Sequence, residues 1–90
     1  MLYLVTYDLK KPQQNYSGLF GALKSAGRWW HYLDSTWIIK SDESIKIFIS
    51  KLQKEIDDND SLLVVEITND DYDGRLTRKA WDWLRNNIGG

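Results

Sequence analysis

The sequence predicts an α+β domain: a four-stranded antiparallel sheet, two helices on one of its faces, and one further helix at the C-terminus. Three observations predict it. Two runs of apolar, β-branched and aromatic residues, Leu2 to Tyr7 and Leu62 to Ile67, lack a helical period and suit strands. A third such stretch is split by the polar pair Asp34-Ser35, as a hairpin would be. Between these runs lie two apolar stripes at i, i+3, i+4, i+7, the spacing of a helix with one buried face.

The first strand starts at the N-terminus and ends on Asp8, where a polar loop of Lys10-Lys11-Pro12-Gln13-Gln14-Asn15 takes over. Its apolar character suits a central strand buried on both faces. Asn15 is placed to cap a helix whose buried face is Tyr16, Leu19, Phe20 and Leu23. Gly27 sits where a C′ residue would end it. Gly18 and Gly21 lower the propensity of this short helix, and close packing against a neighbour would explain them. Arg28 to Leu33 and Thr36 to Lys40 form the hairpin. Ser41-Asp42-Glu43-Ser44 is a cap region leading into the stripe Ile45, Phe48, Ile49, Leu52 and Ile56. Asp57-Asp58-Asn59-Asp60 reads as a solvated turn, since it lacks the Gly and the distal Glu of a calcium loop. After the second apolar strand, Leu76, Ala80, Trp83 and Leu84 mark a last helix over about 75–87, with Thr77 near its start. The order βαββαβ is the split-βαβ, ferredoxin-like arrangement, in a single domain over 1–90. Its second sheet face needs a cover, which a second subunit or the C-terminal helix with Trp81 and Trp83 can supply.

Ninety residues make one small domain with a modest core. The chain has no Cys, which removes disulfides and thiolate metal sites. No segment is apolar enough to span a membrane and no leader precedes the first strand, so a cytoplasmic protein is expected. A net charge of −1 argues against a general, charge-driven grip on duplex nucleic acid but allows a local basic patch. Five Trp and five Tyr leave rings for stacking or for an interface beyond those that fill the core.

Several residues can carry chemistry. Asp8, at the tip of a buried strand, is placed as a metal ligand or general base; its plainer role is to turn the chain. His31, the only histidine, has a reference pKa near neutrality and can act as a base, or can be a hydrogen-bonded structural residue among Trp29, Trp30 and Tyr32. Asp34 and Ser35 can orient it or simply form the turn. Arg75, Arg78 and Lys79 gather at the start of the last helix, where cations oppose the macrodipole. A phosphate nearby would account for them, as would pairing with Asp70, Asp71 and Asp73, the reading slightly preferred here.

The run Trp29-Trp30-His31-Tyr32-Leu33-Asp34-Ser35-Thr36-Trp37, together with Tyr7-Asp8-Leu9, Pro12, Tyr16 and Trp81-Asp82-Trp83-Leu84, resembles the small CRISPR adaptation subunit and its stand-alone relatives. Those relatives include VapD-like toxins and short bacterial and phage proteins labelled SinR-like, and the last group is the nearest. The resemblance implies a homodimer built on the sheets and association with nucleic acid. It also implies that Asp8 and its dimer mate hold a divalent metal, Mg²⁺, for phosphodiester hydrolysis, as in a metal-dependent endoribonuclease. A different reading is a non-catalytic module of a phage or bacterial defence system that binds a nucleotide or oligonucleotide. Tyr7, Trp30 and Trp37 would then meet bases, Ser35 would complete the ligand site, and Arg28, Arg75 and Arg78 would meet phosphates.

Overall fold

The computed structural model describes residues 1–10 and 16–88. The loop residues Lys11 to Asn15, including the expected Asn15 cap and Pro12, lie outside the described residues. The elements are β1 (Leu2–Asp8), α1 (Ser17–Ser25), β2 (Arg28–Leu33), β3 (Thr36–Lys40), α2 (Ile45–Gln53), β4 (Ser61–Glu66) and α3 (Arg78–Asn87). The strands form one antiparallel sheet in the order β2-β3-β1-β4, the ferredoxin-like topology. β1 is central, with Val5 opposite Trp37 on one side and Val64 on the other.

Alternation along the strands divides the sheet into two apolar layers. Tyr3 and Val5 of β1 and Trp37 and Ile39 of β3 pack with Leu19, Leu23, Phe48 and Leu52 of α1 and α2. Tyr3 stacks on Phe48 at 5.2 Å and its hydroxyl donates to the Glu43 carbonyl. On the opposite face, Leu2, Trp30 and Ile38 pack against Ala80 and Leu84 of α3. Each large side chain buried this way contributes roughly 1.5–3 kcal/mol relative to exposure. The C-terminal helix therefore covers much of the second face. It does so through Ala80 and Leu84, with Trp81 and Trp83 only partly buried beside them.

Local chemistry sets the element ends. The Ser44 hydroxyl accepts from the Ile47 N–H to cap α2, and the Thr77 hydroxyl accepts from the Ala80 N–H to cap α3. The cap at Thr77 places Arg75 and Leu76, expected inside the helix, ahead of it. Gly27 follows α1 where the chain runs against the Lys40 carbonyl, and a Cβ there would collide with that backbone. Ile56 packs on the core from beyond the end of α2. Asp60 is less solvated than the turn sequence suggests. Its carboxylate accepts from the Lys10 and Asp57 backbone N–H groups and from the Tyr16 hydroxyl, each at 2.9 Å, which ties the end of β1 to the turn before β4.

The two helical glycines do not mark a tight packing site. A Cβ at Gly18 would meet only the flexible end of the Glu55 side chain, and one at Gly21 would meet nothing within 4 Å. Gly21→Ala is therefore expected to stabilise the fold by about 0.5–1 kcal/mol, by limiting the unfolded chain and restoring helix propensity. A urea midpoint at or below that of the wild type would contradict the open environment described for this position.

Candidate nucleic-acid interface

Asp8 ends β1 opposite Ser61 of β4. Its side chain is 66% exposed and pairs with the Lys10 ammonium. Residues two apart on an extended chain share a side, which brings Lys10 to Asp8. The hydrogen bond and the charge of Asp8 raise the Lys10 pKa above its ordinary value. Across the β1–β4 register, Thr6 faces Leu63 and Leu4 faces Val65. Their partners in sequence, Leu62 and Val64, pack toward α1 and α2, so Asp8, Leu63 and Val65 lie on the face that α3 covers elsewhere. α3 does not extend over this margin: Leu63 is 58% and Val65 41% exposed on the edge strand.

His31 belongs to the other layer and the other side of the sheet. Its ring stacks on Trp37 at 3.9 Å and its Nε2–H donates to the Asp34 carbonyl at 3.0 Å. β3 lies between β2, which carries His31, and β1, which carries Asp8, so the two nominated catalytic residues are not brought together. The fold instead joins His31 with Tyr7 and Trp37. The Trp37 Nε1–H donates to the Tyr7 hydroxyl, which donates to the same Asp34 carbonyl. The Asp34 contribution to His31 is thus a main-chain acceptor rather than its carboxylate. Ser35 offers its carbonyl to the Tyr7 N–H.

Trp37 is 1% exposed, with Phe20, Trp29 and His31 around it, and presents no free ring face to a base. Trp30 is also buried; its Nε1–H donates to the Ala80 carbonyl at 3.1 Å and fastens α3 to the sheet. Arg28 donates to the Asn87 side chain, a second link between β2 and α3. The exposed aromatics on β2 are Trp29, under the Lys24 ammonium at 5.3 Å, and Tyr32.

Arg75, Arg78 and Lys79 are exposed at the start of α3. Among the described residues, none of the three forms an ion pair, although Asp70, Asp71 and Asp73 immediately precede them. The expected pairing with those acids is absent. Arg78 and Lys79 therefore stand at the positive end of the α3 dipole, with Arg75 just ahead of the cap and none of the three in a direct ion pair, an arrangement that an anion would relieve.

Within one copy, the nominated donor set for a divalent metal is a single carboxylate. Mg²⁺ prefers an octahedral oxygen shell, usually anchored by one or two carboxylates with water or phosphate oxygens. Asp8 supplies one exposed carboxylate, already countered by Lys10, and no group of three His, Asp or Glu converges among the described residues.

Of the functional features, sequence reading missed Lys10 as the partner of Asp8, which the i, i+2 spacing could have suggested. It also missed a cleft in which Tyr72 and Trp81 form an aromatic corner, for which the isolated Tyr72 in an acidic stretch was the available signal.

The ferredoxin-like topology agrees with what sequence comparison finds. The profile of the family described as CRISPR associated protein Cas2 matches residues 1–75, from β1 through the segment preceding α3. The chain belongs to that family, and α3 lies beyond the matched part. Among curated proteins, no relative matches. Among the described residues, no helix is long and apolar enough to cross a membrane.

Proposed function

We propose that this chain is a Cas2-type homodimer that binds nucleic acid without cleaving it, akin to the stand-alone SinR-like relatives. The observation that carries this reading is the trio Arg75, Arg78 and Lys79, none of them in a direct ion pair among the described residues. Cations free of carboxylate partners can take phosphates at little cost in broken pairs, and each phosphate neutralised releases condensed counterions. The exposed Leu63 and Val65 support the dimer: a second copy on this margin removes apolar surface from water and doubles the set of cations. The test is fluorescence anisotropy with a labelled single-stranded oligonucleotide across a salt series. The triple variant R75A/R78A/K79A is expected to bind far more weakly and with a nearly flat salt slope. Retention of the wild-type slope would remove these residues from the interface.

A second reading, an Mg²⁺-dependent phosphodiesterase or endoribonuclease, is favoured by one observation: Asp8 lies on the open margin, where a second copy would bring its own Asp8 toward it. Asp8→Asn separates the two. Binding is expected to persist within about twofold, since no phosphate contact is removed, and wild-type protein is expected to show no more Mg²⁺-stimulated cleavage than the variant. Cleavage present in the wild type and lost in Asp8→Asn would replace the binding reading with the nuclease.

A further inference from the structure

Between the sheet, α3 and the segment 70–76 lies a part-open cleft of about 370 Å³, within the range of roughly 300–1,000 Å³ typical of small-molecule sites. Its floor is apolar, formed by Trp30, Ile38 and Leu84. Tyr72 and Trp81 make one wall, their ring centroids 6.3 Å apart and tilted by 31°. Tyr72 is 45% exposed, so its ring is accessible from the mouth. The rim is charged: Asp70, Asp71 and Asp73 on one segment, then Arg75. Of the cations assigned above to phosphates, Arg75 lines the cleft, while Arg78 and Lys79 follow in the first turn of α3, outside its lining. The α3 wall lies outside the part of the chain matched by the family profile.

We propose that this cleft receives one unstacked base of the bound single strand, with the neighbouring phosphates on Arg75, Arg78 and Lys79. The proposal rests on the nucleic-acid reading and adds to it a base-binding site. A flat heterocycle suits an apolar floor with an aromatic corner, and stacking on aromatic side chains is a general mode of binding for unpaired bases. The rim carboxylates act only as acceptors, so they favour cytosine or adenine, whose exocyclic amino group offers two N–H donors, over thymine, which offers its N3–H alone. They also repel phosphate, which leaves the cationic side of the mouth as the path for the backbone.

The experiment compares three strands of equal length and charge, oligo-dC, oligo-dT and an abasic deoxyribose-phosphate strand, against wild-type protein and Tyr72→Ala. Tyr72 is exposed enough that its truncation leaves the core intact, which the far-UV spectrum checks. Wild-type protein is expected to bind oligo-dC about tenfold more tightly than the abasic strand, the value of one stacked base, with oligo-dT between them. Tyr72→Ala is expected to erase most of that difference. Equal binding of all three strands, lost in R75A/R78A/K79A, would overturn the base site and leave the phosphate reading standing. Absence of binding to any strand at low salt would overturn both. Tetrapropylammonium that quenches tryptophan fluorescence and saturates, where cytidine gives no response, would reassign the cleft to an organic cation and overturn the proposal.

Discussion

Trp30→Ala is expected to remove at least about a quarter of the stability of the fold at 25 °C. Trp30 is 2% exposed, fills the layer between the sheet and α3, and donates its Nε1–H to the Ala80 carbonyl. Truncating a buried tryptophan costs about 3–5 kcal/mol in lost transfer energy and cavity. A domain of this size holds a total of roughly 5–13 kcal/mol. The loss falls on the contacts that hold α3, so α3 is expected to detach first. Trp30→Phe separates the components: it keeps most of the apolar volume and loses the hydrogen bond, at about 1–2 kcal/mol. Trp29→Ala should cost less than Trp30→Ala, because Trp29 is already 41% exposed. Urea unfolding followed by far-UV circular dichroism measures all three. A Trp30→Ala midpoint equivalent to a change under about 1 kcal/mol would show that α3 does not pack on the sheet as described.

Leu63→Arg is expected to abolish the proposed dimer while leaving the fold intact. Leu63 is 58% exposed in a single copy, so the fold gains little from it. In a symmetric dimer on this margin, each copy would bury its Leu63 against the other, and the variant would bring two unpaired guanidinium groups into the contact. A loss of about 2.7 kcal/mol, or about 100-fold in dissociation constant, is the expected scale for a central apolar residue. Sedimentation equilibrium reads it directly. Wild-type protein remaining a monomer at high concentration, or a variant that dimerises as well as the wild type, would place the contact elsewhere or remove it. β4 offers a further reason for pairing here: it is an edge strand with no proline within Ser61–Glu66 and with open main-chain groups along its outer side.

Much of the fold was legible because the local signals agree. The apolar run of β1, the hairpin around Asp34-Ser35, and the Ser44 and Thr77 caps each specify their element by short-range chemistry. Asp8 at the strand tip was also readable, since its position follows from where the apolar run stops. Other features depend on contacts between distant segments. Five tryptophans announce an aromatic-rich protein, but only packing decides that Trp37 is enclosed by Phe20, Trp29 and His31 while Trp29 keeps an exposed edge. Proximity in sequence suggested that Arg75, Arg78 and Lys79 would pair with Asp70, Asp71 and Asp73, yet none of them forms a direct ion pair among the described residues. The cleft under α3 needs Trp30, Tyr72 and Leu84 in one place, and no local pattern announces that meeting.

The salt dependence of wild-type binding to a single-stranded oligonucleotide tests the central claim most directly. Three cations from each of two copies would neutralise six phosphates, giving a slope of log K against log salt of about −4, at about −0.7 per phosphate. A slope near −2 would mean that one copy binds alone, and binding that is absent or insensitive to salt would contradict the account.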